Sequence, residues 1–123
     1  MRQREILVVD DSLSIRKMVE YILHSKGYLT ATAKDGQEAL EKLVRYPYQL
    51  VILDINMPRL DGFGLLKWLR ADKRLAGIPV IMLTTENKVS DKAKALELGA
   101  NCYLNKPFKP SELLKSIHKE LEA

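Results

Sequence analysis

The chain has a single cysteine, Cys102, among its 123 residues, so no internal disulfide frame can hold it, and a reducing compartment suits it. Long apolar runs are missing as well. After Met1-Arg2-Gln3-Arg4-Glu5 there are only four apolar residues, Ile6 to Val9, before Asp10. A secretory leader needs roughly 7–15 such residues and a membrane span about 20. We therefore expect a cytoplasmic chain with no membrane partner. Aromatic residues make up only 7%, and they form no interleaved stacking platform. Zinc-ligand spacing and a helix-turn-helix signature are also absent. No Gly-x-Gly-x-x-Gly or Gly-x-x-x-x-Gly-Lys follows an apolar run, so nothing cradles a nucleotide phosphate chain. The net charge is +4, but the basic residues are spread out. Lys88, Lys92 and Lys94 are the nearest approach to a cluster. The charge thus reads as an evenly solvated surface, and no direct contact with nucleic acid is expected.

What the chain does have is alternation. Ile6–Val9, Leu50–Leu53 and Val80–Leu83 are continuous apolar runs, the pattern of strands covered on both faces. Tyr28–Ala33 and Asn101–Asn105 read as two further, more polar strands near the sheet edges. Helical stripes lie between and after them. They comprise Ile15, Met18, Val19, Ile22 and Leu23; then Ala39, Leu40, Leu43 and Val44; then Leu65, Leu66 and Leu69. A weaker fourth takes Ala93, Leu96 and Ala100, and a fifth Leu113, Leu114, Ile117 and Leu121. Gly27 ends the first helix, Asp35 with Glu38 forms a capping pair, and Pro110 opens the last helix. With 46% hydrophobic and 29% charged residues, folding hides roughly two thirds of the chain's surface, and no metal staple is needed for a core. The expectation is one three-layer α/β domain over residues 1–123, with a parallel sheet and right-handed crossovers.

Polar residues collect where strands end. Asp10 and Asp11 follow the first strand, Asp54 the third, Thr84 the fourth and Lys106 the fifth. Ligand sites of open α/β sheets lie at that edge, where strand order reverses. If the first and third strands are neighbours, three carboxylates converge there, and such crowding favours a cation among them. Few hard oxygen ligands with room for water suit Mg²⁺ better than Ca²⁺. Metal, carboxylate, ammonium and hydroxyl together are what phosphoryl transfer requires, with an aspartyl phosphate as a covalent option. This chemistry leaves open which Asp attacks.

The segments Val8-Val9-Asp10-Asp11-Ser12 and Leu53-Asp54-Ile55-Asn56-Met57-Pro58-Arg59-Leu60-Asp61-Gly62 resemble the receiver domains of two-component response regulators. So do Leu83-Thr84-Thr85-Glu86 and Tyr103-Leu104-Asn105-Lys106-Pro107-Phe108. The four segments occur in order and the likeness covers the whole chain, most of all to single-domain chemotaxis-type receivers. It implies a flavodoxin-like sheet of order 2-1-3-4-5 with helices on both faces. It implies that Asp54 accepts a phosphoryl group from the phosphohistidine of a sensor histidine kinase or a histidine phosphotransfer protein. Mg²⁺ would be held by Asp11, Asp54 and the Asn56 backbone carbonyl, with Asp10 acting largely through water. Thr84 and Lys106 would meet phosphoryl oxygens, and the Lys106–Pro107 bond would be cis. Asn56 and Glu86 would border the water that ends the signal. Gly62 would supply unusual backbone angles in the turn after Asp54. Thr84 and Tyr103 would form a switch that reshapes the surface of the fourth helix, fifth strand and fifth helix, where Lys88, Lys92, Lys109 and Lys115 invite an acidic output protein. The receiver would be a monomer or a phosphorylation-dependent dimer, a signalling switch with only slow self-catalysed turnover.

Two residues depart from the commonest pattern: Thr85, where a small residue is usual, and the polar Asn105 before Lys106. Met1 and the ending just past the fifth helix favour a free-standing receiver over part of a longer regulator. A Mg²⁺-dependent phosphohydrolase is the enzyme-class alternative, but it would carry Asp-x-Asp after the first strand rather than Asp10-Asp11. His24, His118, Cys102 and Trp68 are expected to be surface or packing residues.

Overall fold

A computed structural model describes residues 5–57, 60–85 and 89–122, with no side-chain description for residues 89 and 90. Pro58, Arg59, Glu86 and Lys88, which carry sequence expectations, lie outside the described residues. Strands and helices alternate as β1 (Glu5–Val9), α1 (Leu13–His24), β2 (Leu29–Ala33), α2 (Gly36–Arg45), β3 (Leu50–Asp54), α3 (Gly62–Ala71), β4 (Val80–Thr84), α4 (Val89–Glu97), β5 (Cys102–Asn105) and α5 (Pro110–Leu121). All strand pairs are parallel, in the order β2-β1-β3-β4-β5. The expected fold and order are what the structure has.

Side chains of a strand alternate between faces, and here each face finds its own helices. Ile6, Val8, Leu50, Ile52, Ile81 and Leu83 pack with Val19, Ile22 and Leu23 of α1 and Leu113 and Ile117 of α5. Leu7, Val9, Val51, Leu53, Val80 and Met82 pack with α2, α3 and α4 through Ala39, Leu43, Leu65, Leu66, Leu69 and Ala95. Most of these side chains are wholly buried, so truncating one such leucine to alanine costs about 2–5 kcal/mol.

The helix ends follow local chemistry. Ser12 caps α1 by accepting from the Ile15 N–H, and α1 stops before Gly27, whose φ of 83° suits a residue without Cβ. The Asp35 carboxylate accepts from the Glu38 N–H at 2.8 Å, while Glu38 reaches back to the Lys34 N–H. Pro110 opens α5.

Three stripes differ from expectation. In α4 it is Ala95 that is buried, with Leu98 and Ala100, just past the helix, packing beside it; Ala93 and Leu96 face water. Met18 in α1 and Val44 in α2 are 41% and 49% exposed, each lying at the rim of its stripe rather than on the core line.

Candidate functional site

Register brings the polar residues together. Val9 pairs with Leu53 across β1 and β3, so Asp10 and Asp54 leave the sheet side by side. Asp54 pairs with Leu83, which places Thr84 one step further on, and Thr84 pairs with Asn105, just before Lys106. β1 lies between β2 and β3, so the strand order reverses at this point, where the two connections diverge and leave a crevice. A cavity of about 570 Å³ opens there. Asp10, Asp11, Asp54, Asn56 and Lys106 form its polar wall, and Ile15, Met18, Pro107 and Phe108 its apolar one.

Asp10 is wholly buried and Asp54 is 3% exposed, while Asp11 faces water. One carboxylate oxygen from each of the three lies within 4.8 Å of the others. Both oxygens of Asp10 are occupied: Oδ1 accepts from the Ser12 N–H at 2.9 Å and Oδ2 from Lys106 Nζ at 2.6 Å. Lys106 also donates to Asp54 Oδ1, at 3.2 Å. One ammonium is thus shared by crowded acids, and the consequences for the partners differ in kind. Burial and the Asp10 charge push the Asp54 carboxyl up to about 6, with Asp11 adding to them, although Lys106 pulls the other way. Burial works to lower the Lys106 pKa, but the Asp10 hydrogen bond and the Asp54 and Asp10 charges outweigh it and hold the ammonium above its usual value. These directions are compatible, because one cation surrounded by acids is well compensated while each acid is not.

A small divalent ion fits this donor set. Octahedral Mg²⁺ holds oxygens at about 2.0–2.1 Å, which puts opposite ligands roughly 4 Å apart, close to the spread of the three carboxylates. Asp10 already serves two protein donors and Asp54 one, while the Asp11 carboxylate faces water.

Other expected site residues sit as follows. Asn56 is exposed at the cavity. Thr84 is wholly buried, and it is Thr85 that lines the cavity. Tyr103 is half-buried against the α2–α3–α4 core. The Lys106–Pro107 peptide is cis, and the Lys106 N–H bonds the Thr84 carbonyl at 2.6 Å, tying β5 to β4 at the site.

Gly62 corrects an expectation. Its φ is not among the positive values, which belong to Gly27 and Gly99; it is the first residue of α3, and its N–H bonds the Ile55 carbonyl at 2.9 Å. A Cβ there would lie 2.4 Å from the Asp54 carbonyl oxygen and 2.7 Å from Ile55 Cα. Glycine is needed for close approach to the Asp54 backbone, not for unusual angles. His24 and His118 are exposed, Cys102 is half-buried with Sγ 3.3 Å from Ser116 Oγ, and Trp68 packs beside the core.

Two arginines were not anticipated. Arg16 Nη1 donates to the Asp10 carbonyl at 2.7 Å. Arg70 donates to the carbonyls of Ala76, Ile78 and Gly99 and to Asn101 Oδ1, clamping the connections on both sides of β4 and α4. Their acceptors are mostly backbone carbonyls, which every residue carries, so sequence offers little signal for them.

Among the described residues no helix is long and apolar enough to cross a membrane. The model of the response regulator receiver domain family matches residues 6–118. The chain is 45% identical over 121 residues to a probable transcriptional regulator ycf27 of Porphyridium aerugineum, covering 98% of this chain and 49% of that one. It is 44% identical over 110 residues to the alkaline phosphatase synthesis transcriptional regulatory protein PhoP of Bacillus subtilis, covering 89% and 45%. The chain spans about half the length of the curated relatives it matches. Among solved structures, the Vibrio cholerae chemotaxis protein CheY4 aligns with a TM-score of 0.91 at 40% identity, covering 98% of this chain and all of that one. A putative response regulator from Chloroflexus aurantiacus aligns at 0.95 with 34% identity, covering 99% and 100%. Two-component response regulators therefore claim this chain: it belongs to the receiver domain family, whose members are signalling switches rather than metabolic enzymes.

Proposed function

We propose that Asp54 is the phosphoryl acceptor, that Mg²⁺ is the metal of the acidic cluster, and that a sensor histidine kinase or a histidine phosphotransfer protein is the donor. The observation that carries this reading is the sharing of Lys106 between Asp10 and Asp54 beside an exposed Asp11. A free Asp54 oxygen attacks phosphorus in line, the bond from phosphorus to the donor's imidazole nitrogen breaks, and its electron pair stays on that nitrogen. Lys106 already donates to Asp54 and needs little movement to meet a phosphoryl oxygen. Mg²⁺, held by Asp11, Asp54 and the Asn56 carbonyl, would supply charge neutralisation at the phosphoryl oxygens. Water later attacks the same phosphorus and frees the carboxylate, with Asn56, exposed at the cavity, beside its path.

The readout follows from Thr84. It is wholly buried and does not line the cavity, so its hydroxyl meets a phosphoryl oxygen only by moving forward, and Tyr103 follows into the space left. The surface of α4, β5 and α5 then favours an acidic output protein, through Lys92, Lys109 and Lys115. Each state is a population that the phosphoryl group shifts by its differential contacts. The ycf27 and PhoP relatives, named as transcriptional regulators, point to transcription as the output, in a cytoplasmic setting.

Incubation with a small phosphoramidate and Mg²⁺, followed by intact-mass measurement, tests the reading. One phosphoryl group is expected on the wild type and none on Asp54→Ala. Equal labelling of both would overturn the assignment, and continuous turnover of assorted phosphomonoesters would favour the hydrolase alternative.

A further inference from the structure

Arg16 stands where helix electrostatics would not place it. It is the fourth residue of α1, its N–H bonding the Ser12 carbonyl, and the positive end of the helix dipole disfavours a cation in that turn. The first turn of α1 holds no acid to compensate. What Arg16 does have is the Asp10 carbonyl, at 2.7 Å from Nη1. A residue that breaks a local rule beside a functional cluster points to a role there.

The contact matters because of where the Asp10 carbonyl lies in the chain. The Asp10 N–H is held by the Ala33 carbonyl, and the Asp10 carboxylate by the Ser12 N–H and Lys106. The peptide that joins Asp10 to Asp11 is held through its carbonyl, and the donor is Arg16. Asp11 is the exposed carboxylate of the three, and among the described residues no hydrogen bond ends on its side chain.

We propose that Arg16 is a positioning residue that fixes the Asp10–Asp11 peptide, aims the Asp11 carboxylate at Asp54, and thereby sets the affinity of the cluster for a divalent cation. This rests on the reading of the cluster as a cation site. Arg16 touches neither the ion nor the phosphoryl group.

The sign of the effect separates this role from a simple charge effect. Deleting a cation near three carboxylates strengthens cation binding if only charge matters. Freeing the peptide weakens it, since the ion must then order Asp11 at its own expense. The test is a Mg²⁺ titration of the full chain, with no phosphodonor, followed through the backbone amide resonances of Asp11 and Asn56. Arg16→Met, which keeps the aliphatic stem, is expected to raise the half-saturating Mg²⁺ about tenfold, the loss that goes with ordering one residue. Arg16→Lys should fall between that variant and the wild type, and Arg16→Gln carries the same prediction as methionine should the latter not fold. Unchanged or tighter binding in Arg16→Met, with the wild type saturating, would overturn the positioning role alone. A wild type that shows no saturable Mg²⁺ response would overturn the cation site and this role with it.

Discussion

Asp54 is 3% exposed beside Asp10 and Asp11, and burial with the Asp10 charge pushes its carboxyl up to about 6 from 3.8 for an unperturbed group. Between those values the folded state binds more protons than the unfolded state, so stability falls as pH rises. The Asp54 contribution is fully present below about pH 3.8 and is lost as pH passes through about 6. A difference of roughly two pKa units corresponds to about 3 kcal/mol at neutral pH. Asparagine keeps the shape of the side chain and an oxygen that accepts from Lys106, but it never ionises. Asp54→Asn should therefore stabilise the metal-free protein by about 2–3 kcal/mol at pH 7, which is on the order of 10 °C in melting temperature for a domain of this size. Near pH 4 the advantage should nearly vanish. Urea denaturation of both proteins with a chelator, at pH 4, 5.5 and 7, measures this, and titrating groups that are not coupled to Asp54 cancel in the difference. Saturating Mg²⁺ should narrow the gap, because it stabilises the wild type by about 2.7 kcal/mol at a hundred times its Kd and the variant, with one carboxylate fewer, by less. Equal or lower stability of Asp54→Asn at pH 7, or an advantage that does not change with pH, would refute the argument that crowded buried charge burdens the fold.

Gly62→Ala should cost roughly 1–3 kcal/mol, because its Cβ meets the Asp54 carbonyl oxygen at 2.4 Å. It should also slow phosphorylation, and chemical denaturation alongside a labelling time course will show whether both effects occur. Arg70→Met removes donors from three backbone carbonyls and Asn101 and should cost about 2–3 kcal/mol, with hydrogen exchange rising first around Gly99 and Asn101.

How much of this could be read from sequence depended on how strongly each position was constrained. Leu53 and Ile81 lie in runs that only a doubly covered strand accommodates, so the sheet was legible, and Asp10, Asp54 and Lys106 followed from their places at strand ends. Stripe edges were not. Among the described residues of α4 the buried side is marked by Ala95, continued past the helix by Leu98 and Ala100, and Ala93 with Leu96 offers an equally good helical line; weak apolar residues cannot choose between them. Gly62 was visible as a glycine, but φ freedom and close approach look the same in sequence, and only the packed backbone of Asp54 and Ile55 separates them. Arg16 and Arg70 were missed for another reason: their main acceptors are carbonyls placed by tertiary structure.

The central claim is that a covalent phosphoryl group forms on Asp54, and trapping the acyl phosphate tests it most directly. Borohydride converts an aspartyl phosphate to the alcohol, homoserine, while leaving free carboxylates intact. After phosphorylation in Mg²⁺, reduction and digestion, peptide mass spectrometry should place the converted residue at position 54 alone, with none formed when Mg²⁺ is chelated. Conversion at Asp10 or Asp11, or none at position 54 in protein that has taken up a phosphoryl group, would contradict it.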